Sequence, residues 1–257
     1  MKSFNTKIIA ISNQKGGVGK TTSAVNIASF LAITETPTLL IDVDPQANAS
    51  IGVGIDNVKN CSIYDVLINQ KNINKCIHNT EIDYLDIIPS SAQLAGAEIE
   101  LVSMFTRESI LKESLNQLKG KYKYIIIDSP PSLGLLTVNI FTAANSLIIP
   151  IQCEYYALEG LSQLLNTVRL IQNNLNPKLD IEGVLITMYD SRLNLSKQVV
   201  SEVKEYFGDK VYKTLIHRNV KLGESPSFGK PIVLYDASST GSQNYMNLVS
   251  EILNQNG

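Results

Sequence analysis

Long apolar runs are missing from this chain of 257 residues, and no stretch approaches the roughly 18 apolar residues of a membrane-crossing helix. The run IIAI near the start is too short for the core of a secretory signal and leads straight into a glycine-rich turn. Cysteine is scarce too. Cys61, Cys76 and Cys153 are odd in number, scattered and in no metal-ligand spacing, which predicts reduced thiols in a reducing compartment. Neither sign of charge dominates: 22 Lys and Arg stand against 24 Asp and Glu, which excludes a generally basic DNA-coating protein. Internal repeats, low-complexity tracts and Pro/Gly/Ser-rich linkers are also lacking. With 44% hydrophobic residues, the composition predicts a soluble, cytoplasmic, globular protein, with residues 1–257 as one domain.

What the chain does have is a repeated alternation of apolar runs and helical patterns. KIIAISN, TPTLLIDVD, YLDIIP, YKYIIIDSPP, SLIIPIQ and IEGVLITMYD read as buried strands, several entered or left through proline. TTSAVNIASFLAI repeats Ala24, Ile27, Ala28 and Leu31 at helical spacing. Helical patterns also run from Gln93 to Leu118 and through LEGLSQLLNTVRLIQNNL. This alternation predicts an α/β fold, a mostly parallel twisted sheet flanked by helices on both faces. The segment from Cys61 to Thr80, rich in Asn and Lys, is expected to decorate the surface.

The stretch NQKGGVGKTT, Asn13 to Thr22, lies between the first strand and the first helix, the context that gives a phosphate-loop match its meaning. Gly16, Gly17 and Gly19, with Val18 among them, let the backbone turn tightly and aim several N–H groups at one spot. The following helix adds its positive N-terminal end. Lys20 is placed to reach β- and γ-phosphates, and the Thr21 hydroxyl to ligate Mg²⁺. The nucleotide-binding loop is therefore expected to run from Lys15 to Thr22. A glycine-rich turn with no ligand is the competing interpretation, and the order of strand, loop and helix stands against it. The loop also departs from G-x-x-x-x-G-K-[ST]: position 14 holds Gln14 in place of glycine, followed by a second lysine, Lys15.

That departure is specific. KGGVGKTT resembles the deviant Walker A motif of the ParA/MinD family of P-loop ATPases. IDVDPQAN, with Asp42 and Asp44, resembles the family's second acidic motif, and IIIDSPP, with Asp128, its Walker B and switch II. PIQCEYYALEG and RNVKLGESPSFGKPI resemble stretches of the chromosome- and plasmid-partition branch, ParA/Soj, so the likeness runs from about Lys7 to Leu253. It implies a P-loop fold that binds ATP with Mg²⁺ and hydrolyses ATP slowly. It implies that Lys20 serves the phosphates of its own subunit while Lys15 crosses a dimer interface to those of the partner. A solvent-exposed loop lysine is the alternative for Lys15.

By the same resemblance, Asp44 orients or polarises the attacking water, which makes Lys15, Lys20 and Asp44 the catalytic set. Asp128 ends a buried strand at the carboxyl edge, where a carboxylate can hold Mg²⁺ directly or through its water shell. Asp42 supports Mg²⁺ or the loop, and a helix N-cap or turn role stays open for either of Asp42 and Asp44. Met188 in ITMYD and Asn219 in RNVKL occupy places that line the adenine pocket in the family. TMYD lacks the lysine of the Asn-Lys-x-Asp element common in GTP-selective proteins, which favours ATP.

Between Thr187 and Ile232, eight basic residues outnumber five acidic ones, a mild patch that a solvated helical face would explain by itself. The resemblance adds Arg192, Arg218, Lys221 and Lys230 as contacts to the phosphates of duplex DNA, blind to sequence. The implied function is an ATP-dependent switch that forms an ATP-bound homodimer, binds DNA on the nucleoid, and resets by hydrolysis under a ParB-like centromere-binding partner. Three rivals remain. A MinD-like positioning ATPase would end in a basic amphipathic membrane helix, whereas YMNLVSEILNQNG carries only Glu251. An iron–sulfur carrier would need cysteines that this spacing does not supply. A nucleotide-bound scaffold without turnover would have no use for Asp44.

Overall fold

The computed structural model of the chain describes residues 3–56, 61–154 and 161–256. Seven strands form one sheet: β1 (Lys7–Ile11), β2 (Thr38–Asp42), β3 (His78–Asn79), β4 (Leu85–Ile88), β5 (Tyr124–Asp128), β6 (Ser146–Gln152) and β7 (Asp180–Thr187). Their order is β3-β4-β2-β5-β1-β6-β7, and every neighbouring pair is parallel except β3 with β4. β2 and β5 are buried at every residue, as strands covered on both faces must be. The order reverses around β1, with β5 on one side and β6 on the other. Ligands of open α/β sheets gather at the carboxyl ends of strands at such a reversal.

Register fixes what meets there. Ile11 pairs with Asp128, and Asp42 pairs with the same Asp128 from the other side. The three central strands therefore finish level, and their exits share one edge. Helix Lys20–Ile33 rises from the β1 exit and is buried along almost its whole length. Sheet residues such as Ile9 and Leu40 pack with it on one side, and the helix Thr240–Asn256 closes over it. That last helix buries Tyr245, Leu248, Val249 and Ile252, and the Tyr245 hydroxyl bonds Ser23 Oγ at 3.0 Å. Its Glu251 carboxylate accepts the Lys213 and Thr214 N–H groups at 2.8 and 3.1 Å. The apolar face of this helix is thus used inside the fold. Among the described residues, no helix is long and apolar enough to cross a membrane.

The structure departs from the sequence expectations at three places. The helical pattern from Gln93 to Leu118 is broken into Leu94–Val102, Ile110–Leu115 and a short 3-10 turn at Asn116–Leu118. The buried Asn139 holds the break: its Nδ2 donates to Arg107 O at 2.6 Å and its Oδ1 accepts from Leu111 N at 3.2 Å. The segment from Cys61 to Thr80 is no surface decoration. Its Asn and Lys residues alternate with Ile63, Val66, Leu67, Ile73 and Cys76, all fully buried, and it supplies the edge strand β3. Finally, Cys61 and Cys76 are paired as a disulfide with Cα atoms 4.7 Å apart, so only Cys153 is a free thiol. The pairing was illegible in sequence because the buried segment folds back over 15 residues.

Candidate nucleotide-binding site

The loop after β1 is held open by its neighbours before any ligand arrives. Asn13 is buried, donates through Nδ2 to Pro150 O at 2.7 Å, and accepts Lys15 N–H on Oδ1 at 3.0 Å. Gly17 and Gly19 lie at φ 74° and 87°, in the left-handed region, so the GGVG spacing is a backbone requirement here. Gly19 ends the turn, and Lys20 opens the helix. Val18 turns inward, and its carbonyl accepts the Thr187 hydroxyl at 2.9 Å, which ties the loop to the end of β7.

The two lysines have opposite environments. Lys20 is only 7% exposed and donates from Nζ to the Lys15 carbonyl at 3.0 Å. Burial pushes its pKa below the ordinary lysine value, against the pull of Asp128 and Asp44. Lys15 points outward and pairs with Glu154 at 3.2 Å.

The three carboxylates do different work. Asp42 is fully buried, and its oxygens accept Asp44 N at 3.1 Å, Ser50 N at 2.8 Å and Ser50 Oγ at 2.7 Å. Ser50 Oγ in turn accepts Ser90 N–H at 3.0 Å, so Asp42 organises the exits of β2 and β4. This geometry fits the loop-supporting role better than direct metal ligation. Burial pushes its pKa up to about 6. Asp44 accepts Gln46 N–H on Oδ1 at 2.9 Å, an Asx turn that leaves its other oxygen without a protein partner among the described residues. Ala47 completes the turn in the left-handed region at φ 53°. Asp128 is fully buried, and neither of its oxygens has a hydrogen-bond partner among the described residues. Burial, and then the facing Asp42, raise its pKa well above the carboxylate range.

An orphaned carboxylate of this kind fits a cation or its water shell. The nearby Thr21 hydroxyl offsets part of the rise in the Asp128 pKa without meeting hydrogen-bond geometry. No three His, Cys, Asp or Glu side chains among the described residues form a metal site of their own. Mg²⁺ takes much of its coordination from phosphates and water.

Beside the loop lies a cavity of about 240 Å³, lined among others by Thr22, Thr187, Met188, Asn219, Leu222 and Tyr245. Met188 and Asn219, the two residues the resemblance assigns to an adenine pocket, thus line one cavity. Met188 sits at φ 52°, and Asn219 caps the helix Val220–Glu224 by accepting Lys221 N–H at 2.8 Å. Sequence reasoning missed Thr187, Tyr245, Ser50 and Glu154. Thr187 had a signal as the last residue of the apolar run before Met188, and Glu154 lies within PIQCEYYALEG, a stretch read for its resemblance without a role for that residue.

The four expected DNA contacts are not alike. Arg192 is paired with Asp190 through two bonds of 2.9 and 2.6 Å. Lys221 pairs with Glu224 at 3.1 Å, and Lys230 reaches Glu81 at 4.0 Å. Lys230 also lines a second cavity with Thr21 and Thr22, beside the phosphate loop. Arg218 is exposed, its N–H donates to Tyr189 O at 3.1 Å, and its side chain joins no ion pair among the described residues.

Comparisons with known proteins show the family of the chain. A family described as an AAA domain matches residues 6–181. The chain is 58% identical over 248 residues to the sporulation initiation inhibitor protein Soj of Bacillus subtilis, covering 96% of this chain and 98% of that protein. It is 49% identical over 251 residues to the chromosome-partitioning ATPase Soj of Treponema pallidum, covering 98% of each. Among solved structures, cobyrinic acid a,c-diamide synthase from Mycobacterium smegmatis with bound ADP and magnesium superposes with a TM-score of 0.85. It is 34% identical, with 97% of this chain and 95% of that one covered. With its lysine-bearing phosphate loop, its level aspartates and relatives matched over nearly their whole length, the chain belongs to the ParA/Soj branch of the ParA/MinD family of P-loop ATPases.

Proposed function

We propose that this protein is an ATP-dependent switch in chromosome or plasmid partitioning, which pairs as an ATP-bound dimer, binds duplex DNA without sequence preference and resets by hydrolysis. The observation that carries the reading is the divergence of the two loop lysines. Lys20 is buried and faces Asp128 and Asp44, suited to phosphates held in the same subunit. Lys15 is outward and accessible, suited to phosphates held by another. Two nucleotides facing across an interface concentrate negative charge, and one cation from each side offsets it.

In this reading the turned backbone of Gly16 to Gly19 holds the phosphates, and Thr22 stands where the phosphate loop meets the base cavity. Thr21 and Asp128 would hold Mg²⁺, which neutralises charge on the transferring phosphoryl group when bound. Asp44 presents its unpaired oxygen to a water and orients it for attack. Asp42 keeps that turn in place through Ser50. Arg218, with Arg192, Lys221 and Lys230, would contribute phosphate contacts, and a ParB-like centromere-binding protein would stimulate hydrolysis.

ATP turnover measured with and without duplex DNA, and with and without anionic lipid vesicles, tests the reading. DNA-dependent binding or turnover of the ATP form is the expected result. Vesicle binding without DNA binding would favour a MinD-like membrane role and overturn it.

A further inference from the structure

Gln14 and Lys15 are the two residues by which this loop departs from an ordinary phosphate loop, and both side chains are tied to the chain that follows β6. Gln14 Nε2 donates to Gln163 Oε1 at 2.7 Å, and Lys15 Nζ donates to Glu154 Oε2 at 3.2 Å. The other Glu154 oxygen accepts Gln152 Nε2 at 2.5 Å, so the carboxylate is fixed from the strand side and turned to the lysine. The main chain of Lys15 is pinned at both ends, its N–H by Asn13 Oδ1 and its carbonyl by Lys20 Nζ, each at 3.0 Å. Only the side chain of Lys15 is free to change partners. It is 40% exposed and Glu154 is 50% exposed, so the pair is open to another molecule and weak enough to exchange.

We propose that Glu154 is a positioning residue that parks Lys15 within its own subunit, and that dimer formation requires Lys15 to trade Glu154 for the phosphates of a second copy. The inference rests on the trans role of Lys15 stated above. A single carboxylate holds the lysine against a copy that offers no phosphates. A bound triphosphate offers more charge than Glu154, so the trade runs forward only when nucleotide is present. The pair thereby suppresses nucleotide-free dimers without touching the nucleotide itself.

Glu154→Gln keeps a hydrogen-bonding amide beside Gln152 and removes only the charge. Its dimer dissociation constant with Mg²⁺ and a non-hydrolysable ATP analogue is measured by sedimentation, beside wild type, Lys15→Ala and the double variant. Two such exposed pairs break per dimer, so Glu154→Gln is expected to tighten dimerisation about two- to thirtyfold. Fluorescent-nucleotide affinity of the monomer should not change. The gain should shrink as salt rises and vanish in the Lys15→Ala background. A Glu154→Gln dimer no tighter than wild type, with Lys15→Ala impaired, overturns the parking role of Glu154. A gain that persists without Lys15 overturns it as well. Lys15→Ala dimerising like wild type instead overturns the trans reading on which the inference rests.

Discussion

Asp42 and Asp128 close neighbouring strands in direct register, two fully buried carboxylates facing one another at the carboxyl edge of the sheet. One has all its oxygens engaged by the fold, and the other has none. The asymmetry separates their roles, the first in holding the turn that carries Asp44 and the second in meeting a cation.

It also predicts a pH dependence. Both groups hold their protons more tightly in the folded than in the unfolded chain. The Asp42 contribution to stability is full below the unfolded value of 3.8 and is lost as pH rises through about 6, where it ionises in the fold, and Asp128 adds a loss of the same sign. A shift of that size bounds the Asp42 share at about 3 kcal/mol. Carboxylates held low by partners, such as Asp65, Asp180 and Asp190, act with the opposite sign and below this window. Urea titrations of the nucleotide-free protein should show stability falling between about pH 4.5 and 6.5. Mg²⁺ with an ATP analogue should flatten that fall, since the cation favours the ionised form. A flat profile without nucleotide would contradict the assignment.

The two loop lysines should separate in binding assays. Lys20→Ala removes the buried charge beside the phosphates and should weaken ATP binding at least about tenfold to a hundredfold, read by titration with a fluorescent analogue. Lys15→Ala should keep most monomer affinity and lose ATP-dependent dimerisation or turnover, read by sizing chromatography with light scattering. Equal affinity losses in both variants would place both lysines in one subunit's site.

Asp44 has one oxygen in the Asx turn and one to spare. Asp44→Ala should bind ATP and collect as a dimer that does not reset, with turnover lower by about 10²–10⁴. Loss of nucleotide binding would move Asp44 to a structural or metal role.

The ion pairs rank the proposed DNA contacts. Arg218 joins no ion pair among the described residues, whereas Arg192 bonds Asp190 and, with a weaker pull from the Arg218 charge, lowers the Asp190 pKa to about 2. Arg218→Ala, lost from both subunits, should flatten the log–log salt dependence of DNA binding by about two. Asp190→Asn frees Arg192 and should raise affinity for unrelated duplexes alike. A salt series on two duplexes of different sequence checks both, and an unchanged slope for Arg218→Ala removes it from the interface.

The sequence made much of this site legible because its signals are local. Six of the seven strands are apolar runs, the glycine loop stands between strand and helix, and Asp44 and Asp128 follow apolar runs that end at the edge. What was hidden depends on pairing across the chain. Asn139 breaks the 93–118 pattern from another helix, and the burial of Cys61 to Thr80 needs partners that composition does not name. A count of positive charges could not reveal that Arg192, Lys221 and Lys230 each have a carboxylate at hand. Glu154 lies within PIQCEYYALEG, but nothing local in that stretch says that its partner is Lys15, 139 residues earlier.

The contact between Ser23 and Tyr245 has a practical consequence for imaging this protein in cells. Ser23 lies one turn beyond the phosphate loop, and Tyr245 is at once its partner and a wall of the proposed base cavity. A fluorescent tag pulling on the helix Thr240–Asn256 would be felt at the nucleotide, and the tagged protein could report a localisation of its own making. The amino end of β1 opens at the opposite edge of the sheet, where Lys7 bonds Glu182 at 2.8 Å, far from the phosphates. A label belongs there.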